Sequence, residues 1–277
     1  YKIDHLTQHY INAGKIPGSV TLVARQGHII HTTSQGKMDI EADKDMSDDT
    51  IFRIYSMSKP ITSTALMMLY EDGRFQLDDP VTRFIPAFER LKVYSADGNH
   101  TAPLRPMTIR DLLTHTSVLT YGFMQSTAVD AMYREQGVEQ SASLEEMVAK
   151  LADIPLLFTP GSRWSYSVAT DGCGHPVERI TETPFDEFLR EQIFEPLEME
   201  DTGFSVPEDK VHRFAANYER TTDDHMVLAD SPESSHYLQQ PGLLSGGGGL
   251  VSTIHDYYKF ASMLLNQGEF GGTRILG

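Results

Sequence analysis

A chain of 277 residues, with 39 acidic and 23 basic side chains, carries a formal net charge of −16. This charge disfavours nucleic acid and anionic membrane surfaces as partners. The single cysteine, Cys173, excludes an intrachain disulfide and a cysteine-based zinc site and favours a cytoplasmic location, which a leader peptide removed ahead of Tyr1 would change.

Apolar spacing and turn residues predict short strands near the N-terminus, followed mainly by helices. β-Branched residues on both sides of the turn at 25–28 indicate a hairpin, and the run 50–55 is typical of a third strand. The apolar stretch that follows has helical spacing and ends near Gly73. In chain order, the predicted elements are a helix (1–14), three strands (19–24, 29–33, 50–55) and five helices (61–70, 107–114, 143–152, 184–193, 253–266).

These elements predict an α/β (α+β) fold in which an antiparallel sheet is flanked by helices and interrupted by a mostly helical insertion domain. Residues 1–85 are the predicted N-terminal part of the sheet domain, residues 86–240 the insertion, and residues 241–277 the return to the sheet domain. No run approaches the roughly 18 consecutive apolar residues of a membrane span.

Ser56 and Lys59 form the most informative motif. They follow the predicted strand and open a helix, which places both side chains on one face, a turn apart. In that arrangement a lysine amine can take the proton of a serine hydroxyl, as in the Ser-x-x-Lys motif of serine β-lactamases and penicillin-binding proteins. A second copy, Ser34 to Lys37, lies in a polar, glycine-containing stretch with no helix after it, and this pattern predicts a turn.

Five segments, in this order, resemble the class C β-lactamase and penicillin-binding-protein-like superfamily and, within it, the family VIII carboxylesterases. They are IYSMSKP (54–60), DLLTHTS (111–117), YSVATD (166–171), DTGF (201–204) and SGGGGLVST (245–253). The resemblance implies a β-lactamase/transpeptidase-like fold. It also implies hydrolysis of short-chain carboxylic esters through an acyl-serine intermediate, with a small-molecule ester as partner and no cofactor.

The resemblance also implies the catalytic residues. The motif serine of the family is acylated and the motif lysine assists its deprotonation, so these roles fall on Ser56 and Lys59. A tyrosine completes the triad, and Tyr166 is the matching position. Lys59 can act as the base only after it loses its charge, and Tyr166 only beside a positive charge, so the sequence leaves the base open between them.

The oxyanion hole is expected to be incomplete within these residues. The backbone N–H of Ser56, at the start of a helix, supplies the first donor. In relatives the second donor comes from a later strand with a Lys-Thr-Gly, His-x-Gly or Trp-x-Gly type of motif, and the sequence contains none of these. We therefore expect the chain to continue beyond Gly277 into the missing C-terminal strands of the sheet.

Two positions depart from the relatives. β-Lactamases of this kind have Tyr-x-Asn, whose amide can bond the drug, whereas Val168 at this position cannot, which favours an esterase. Val118 stands where relatives usually have glycine. If the backbone there requires a positive φ, valine is costly and the loop differs.

Other conspicuous residues have both a functional and a structural interpretation. Tyr121 and Phe123 are the predicted substrate-binding residues of an acyl pocket, with a place in the core as the alternative. His115 is predicted to hold a loop through hydrogen bonds, with substrate contact as the alternative. The four glycines at 246–249 predict close backbone packing beside the site. The eleven histidines include no His-Glu-x-x-His and no ligand cluster, so no metal is predicted.

Three other functions fit the same residues. A β-lactamase or D,D-peptidase would form the same acyl-enzyme from a β-lactam or a peptidyl-D-Ala-D-Ala. An acyltransferase would pass the acyl group to an alcohol or amine, and a non-catalytic relative would only bind ligands. The sequence specifies neither the natural ester nor the oligomeric state.

Overall fold

The computed structural model describes residues 1–277, with eight α-helices and nine short strands. The helices are α1 (Lys2–Asn12), α2 (Ser58–Glu71), α3 (Ile109–Leu113), α4 (Ala128–Glu135), α5 (Leu144–Ala152), α6 (Gly174–Thr181), α7 (Phe185–Leu189) and α8 (Ile254–Leu265). The strands are β1 (Gly18–Arg25), β2 (His28–Asp39), β3 (Lys44–Asp45), β4 (Phe52–Arg53), β5 (Asn217–Arg220), β6 (Met226–Asp230), β7 (Val251–Ser252), β8 (Glu269–Phe270) and β9 (Thr273–Arg274). No helix combines the length and the apolar character needed to cross a membrane.

The chain divides into two compact units, each assembled from separate stretches of sequence. The first unit contains Tyr1–Ile54, Phe194–Gln240 and Leu250–Arg274. The second unit contains Tyr55–Ile193, Pro241–Gly249 and Ile275–Gly277. These units and the three predicted sequence segments divide the chain by different criteria, so the segment boundaries remain a prediction.

The first unit holds all nine strands. β1, β2 and β3 form an antiparallel sheet in that order, and the pairs β4–β7, β5–β6 and β8–β9 are also antiparallel. Gln26 and Gly27 join β1 to β2 with φ values of 53° and 77°, as a two-residue type I′ turn requires, so the predicted hairpin is confirmed. Buried residues of the unit's core include Ile51, Val206, Phe214, Tyr237 and Val251.

The third predicted strand is shorter than expected. Phe52–Arg53 pairs with β7, and Ile51 forms only an isolated parallel bridge to Phe214. Tyr55 then adopts a φ of 42°, which ends the extended backbone, and a 3-10 turn over Tyr55–Met57 leads directly into α2. The prediction of a strand through residue 55 is therefore wrong at its C-terminal end. Ser56 lies in this tight turn, directly after Tyr55.

The second unit contains α2 to α7, and two of these helices, α3 and α5, begin at their predicted capping residues. Thr108 caps α3 by accepting a hydrogen bond from the Asp111 N–H, and Ser143 caps α5 in the same way. The helix predicted over 184–193 is α7 followed by one π-helical turn. Large, fully buried side chains of this unit are Ile61, Leu66, Phe75, Ile109, Tyr133, Met147, Leu151, Leu156 and Phe185.

Asp111 is the centre of a buried polar cluster in the second unit. Its carboxylate accepts two hydrogen bonds from the Arg105 guanidinium, at 2.7 and 2.8 Å, and further bonds from Thr108 and Thr116. Burial opposes the charged form of this carboxyl. The bonds from Arg105, Thr108 and Thr116 outweigh burial and hold the pKa of Asp111 below its ordinary value of 3.8.

We expect Asp111→Asn to lower the free energy of unfolding at pH 7 by about 2–3 kcal/mol, the range for hydrogen bonds to a charged group. Because the folded-state pKa is lowered, the stabilisation is complete above the unfolded-state pKa and is lost as the pH falls through the folded-state value. Urea denaturation should give a constant difference between wild type and variant from about pH 5 to 7, and a smaller one below about pH 4.

Asp153→Asn is the matched control for this prediction, because the Asp153 carboxylate bonds Arg90 with both side chains more than half exposed. Exposed pairs contribute little, so its unfolding free energy should change by less than about 1 kcal/mol. An Asp111→Asn difference that persisted undiminished at about pH 3 would contradict the role of this carboxylate.

Candidate active site

Ser56, Lys59 and Tyr166 lie together in the second unit. The Ser56 side chain is exposed, and its Oγ shares a short hydrogen bond with the Tyr166 hydroxyl. Lys59 Nζ donates to the same Oγ at 3.2 Å. The Ser56 backbone N–H lies in the 3-10 turn that leads into α2, a position from which an N–H can stabilise a developing oxyanion. The arrangement can remove the proton of Ser56 while the hydroxyl remains accessible.

Lys59 is surrounded by oxygen atoms. Besides Ser56 Oγ, its Nζ donates to the Tyr121 hydroxyl at 3.1 Å and to the Gly247 carbonyl at 2.7 Å. Nζ also lies 4.7 Å from the centroid of the Tyr166 ring. A positive charge at this point stabilises negative charge that develops on the Tyr166 oxygen during proton transfer.

Tyr121 belongs to the network around Lys59. Its side chain is buried, and its hydroxyl donates to Asp171 Oδ2 at 2.5 Å. Burial, together with the adjacent Asp171 carboxylate, raises the pKa of Tyr121 far above its ordinary value of 10.0, so this phenol stays protonated. The Tyr121 ring stacks on Phe123 with centroids 4.6 Å apart, and Phe123 is 60% exposed. Substrate contact by this pair remains a prediction.

Aromatic rings surround Tyr166. The Tyr166 ring centroid lies 5.5 Å from that of Tyr121, 6.3 Å from Trp164 and 5.0 Å from His115. Trp164 is 68% exposed, at the opposite end of the row from Phe123. The nucleophile is therefore bordered by an apolar wall that can receive an organic ligand.

His115 holds its loop through its backbone. The His115 carbonyl accepts a hydrogen bond from the Ser165 N–H at 2.8 Å, whereas the buried Nδ1 of the ring has no partner. The prediction that His115 fixes the loop by hydrogen bonds therefore applies to its main chain, and the ring packs on Trp164 and Tyr166. Burial and the charge of Lys59 lower the pKa of His115 below 6.5, so the ring is neutral at pH 7.

The glycine segment at 246–249 packs closely against the network, as predicted. Ser245 Oγ donates to Asp171 Oδ1 at 2.5 Å, and Thr62 Oγ1 donates to the Gly246 carbonyl at 2.8 Å. A Cβ on Gly247 would lie only 2.0 Å from Asp171 Oδ2. Position 247 therefore has no room for a side chain while its carbonyl bonds Lys59.

We expect Gly247→Ala to lower kcat on an ester substrate by roughly 10²-fold or more, because the new methyl group must displace either the carbonyl that holds Lys59 or the Asp171 carboxylate. Gly248→Ala is the matched control, since its Cβ would meet no atom closer than 3.8 Å, and it should keep most of the activity. Equal kcat values for the two variants, measured on p-nitrophenyl acetate, would contradict the requirement at 247.

Two valines that depart from the relatives have clear structural roles. Val118 is fully buried and adopts a φ of 60°, so the chain keeps the left-handed conformation at a strain of about 1–3 kcal/mol. Val168 is also fully buried and borders a small apolar cavity beside Leu112 and Leu151. An asparagine in this place would face the core, so its absence does not by itself separate an esterase from a β-lactamase.

Asp171 and Gly247 are the site residues that sequence reasoning missed. Asp171 closes the YSVATD segment, five residues after Tyr166, and that spacing was the available signal. The Gly247 carbonyl leaves no trace in residue type, because any residue carries one. No group of three or more His, Cys, Asp or Glu side chains in residues 1–277 is arranged to hold a metal ion.

Comparison with known proteins points to one family. The profile of the Beta-lactamase family matches residues 3–276. Esterase EstB of Burkholderia gladioli is 36% identical over 273 residues, which cover 92% of this chain and 67% of that protein. Protein Rv1367c of Mycobacterium tuberculosis is 37% identical over 270 residues, 96% of this chain. The chain spans 66% of the length of that relative.

A solved structure supports the fold. EstCE1, described as a hydrolase with promiscuous acyltransferase activity, superimposes with a TM-score of 0.84 at 30% identity, covering 99% of this chain and 74% of that one. The predicted resemblance to β-lactamase-like esterases and the predicted fold class are thereby confirmed. The esterase and hydrolase relatives support the prediction of a serine hydrolase.

Proposed function

Because the chain belongs to the beta-lactamase family, we propose that it is a serine hydrolase that cleaves short-chain carboxylic esters through an acyl-Ser56 intermediate. One observation carries the proposal: the exposed Ser56 Oγ is within hydrogen-bonding contact of both Tyr166 Oη and Lys59 Nζ. A serine hydroxyl becomes a competent nucleophile only beside such a base.

The first half-reaction forms the acyl-enzyme. The Lys59–Tyr166 pair accepts the Ser56 proton while Oγ attacks the ester carbonyl, and the backbone N–H of Ser56 stabilises the oxyanion. Collapse of the tetrahedral intermediate breaks the ester C–O bond, and the proton held by the pair passes to the departing alkoxide. The products of this step are a free alcohol and acyl-Ser56.

The second half-reaction releases the acid. Water gives a proton to the Lys59–Tyr166 pair and attacks the acyl carbonyl, and the proton then returns to Ser56 Oγ as the acyl C–O bond breaks. The same two groups therefore act as base and then as acid in each half-reaction. The acyl group is proposed to rest against Tyr121 and Phe123, whose stacked rings border the site.

A series of p-nitrophenyl esters tests the substrate class, with a chromogenic cephalosporin assayed in parallel. We expect kcat/KM for acetate and butyrate to exceed that for octanoate by at least ~10-fold, since a pocket edge discriminates by about 1–3 kcal/mol. Turnover of the cephalosporin should be slower than that of the butyrate by at least ~10²-fold. A cephalosporin rate equal to or above the ester rates would replace the esterase with a β-lactamase.

Phe123→Ala locates the acyl pocket in the same assay. If the Phe123 ring limits the acyl chain, the octanoate rate rises relative to acetate in this variant. Leu104→Ala is its control, because Leu104 is 91% exposed and contributes nothing to the site. An unchanged chain-length preference in Phe123→Ala would place the acyl group elsewhere.

Acyl transfer is the second candidate function, and the described activity of EstCE1 favours it. An alcohol takes the place of water in the second half-reaction and leaves as a new ester, with the same proton movements. Adding a primary alcohol during butyrate turnover should raise p-nitrophenol release and form the butyrate ester of that alcohol if acyl transfer competes. Formation of butyric acid alone would leave hydrolysis as the function.

A further inference from the structure

The geometry points to Asp171 as a positioning residue. Its carboxylate holds Tyr121 and the Ser245–Gly247 segment, which occupy two hydrogen-bonding positions of the Lys59 amine, so that the third position faces Ser56. The inference rests on the proposed function, because it concerns how the base pair at Ser56 is ordered. Asp171 lies outside the motif residues that carry the proposed chemistry. Its side chain is 8% exposed, and both of its oxygens are engaged.

The hydrogen bond from Tyr121 to Asp171 determines which way the Tyr121 hydroxyl proton points. A carboxylate can only accept, and a phenol has one proton to give. The Tyr121 proton is committed to Asp171 Oδ2 at 2.5 Å, so the Tyr121 oxygen is left as an acceptor for Lys59 at 3.1 Å. Without an acceptor at Asp171, the Tyr121 hydroxyl could turn and donate to Lys59 instead.

The second oxygen of Asp171 fixes the other partner of Lys59. Ser245 Oγ donates to Asp171 Oδ1 at 2.5 Å, and Gly247 packs directly against the carboxylate. The Gly247 carbonyl, which accepts from Lys59 at 2.7 Å, is therefore held in place by the same side chain. A carbonyl oxygen can only accept a hydrogen bond, so Gly247, like the Tyr121 oxygen, requires an N–H from Lys59.

These constraints leave one position on the Lys59 nitrogen. Besides its bond to the side-chain carbon, the Lys59 nitrogen has three positions. Two of them carry N–H groups that donate to Tyr121 and Gly247, whether the amine is charged or neutral. The third faces Ser56 Oγ at 3.2 Å. It is an N–H when Lys59 is charged and a lone pair when Lys59 is neutral, so the proton that Lys59 exchanges is always the one beside Ser56.

Steady-state ester kinetics of Asp171→Asn test the inference. We expect kcat to fall by about 10²-fold with KM changed by less than about 3-fold, because positioning errors act on the transition state. Asp256→Asn is the control: Asp256 is a buried carboxyl of the first unit that bonds Asp201 and Thr202, and its kcat and KM should match wild type.

The double variant Asp171→Asn with Tyr121→Phe separates positioning from general packing. If Asp171 acts through Tyr121, the double variant loses little more than the worse single variant, whereas independent packing defects multiply. A kcat within about 3-fold of wild type in Asp171→Asn, or multiplicative losses in the double variant, would each overturn the inference.

If Asp171→Asn fails to fold, Tyr121→Phe alone decides the question. It removes the hydroxyl that links Asp171 to Lys59 while Asp171 remains, and a wild-type kcat in this variant would overturn the inference. Reaction of Ser56 with a phosphonate separates failure of this inference from failure of the proposed function. If Ser56 is labelled and the variants have wild-type kinetics, only the role of Asp171 is contradicted. If wild-type protein is not labelled, the proposed function is contradicted.

Discussion

Ser56→Ala should reduce kcat/KM for a short-chain ester by at least ~10⁴-fold, the largest effect expected of any single substitution in this chain. The hydroxyl is the atom proposed to form the covalent bond to the acyl group, and no neighbouring side chain can replace it. Tyr166 and Lys59 retain their positions in the variant, since they are also bonded elsewhere or packed among aromatic rings. The residual rate should approach that of the uncatalysed ester in buffer.

The chain supplies its own control for this prediction. Ser34 begins the second Ser-x-x-Lys sequence, where the sequence pattern predicted a turn. That prediction is wrong, because Ser34 lies within β2, paired with Val20 of β1, and no helix follows directly. Ser34→Ala should therefore hydrolyse the ester at the wild-type rate. Comparable losses in Ser34→Ala and Ser56→Ala would show that the motif had been assigned to the wrong copy.

Tyr166→Phe should lower kcat by about 10³-fold, within the range for loss of a general acid–base group. The substitution removes one oxygen, the atom that bonds Ser56 Oγ, and leaves the ring to pack against Tyr121, Trp164 and His115. Because the nucleophile remains, slow acylation should still be detectable as a stoichiometric adduct. Steady-state kinetics on p-nitrophenyl acetate measures the effect.

Tyr94→Phe provides the comparison for Tyr166→Phe. Tyr94 belongs to the same unit and packs against the His100 ring, but its hydroxyl takes no part in the site. This variant should keep kcat within about 2-fold of wild type. A Tyr166→Phe enzyme as active as Tyr94→Phe would leave Lys59 as the base and remove Tyr166 from the proton path.

Sequence motifs predicted the reacting atoms well because the chemistry depends on residue type. A serine and a lysine three residues apart at the start of a helix must lie on the same side of it, and the structure places both against Tyr166. The hairpin at Gln26-Gly27 was predictable for a similar reason, since few residue pairs accept two positive φ values.

The supporting contacts were harder to predict, because they depend on which distant backbone segments meet. Asp171 bonds Tyr121 and Ser245, which are 50 and 74 residues away in sequence. The spacing of residues along the chain does not predict such long-range contacts. The shortened third strand has a local cause, the positive φ of Tyr55, in a residue type that rarely adopts it. The orientation of Val168 into the core was likewise set by packing.

Covalent labelling tests the central claim most directly. The full chain and its Ser56→Ala variant are treated with a reactive alkyl phosphonate, and intact masses and peptide masses are measured before and after. We predict a single adduct on wild-type protein, located on the peptide that contains Ser56 and absent from the variant. An unmodified wild-type protein, or an adduct that persists in Ser56→Ala, would contradict the assignment of Ser56 as the activated nucleophile.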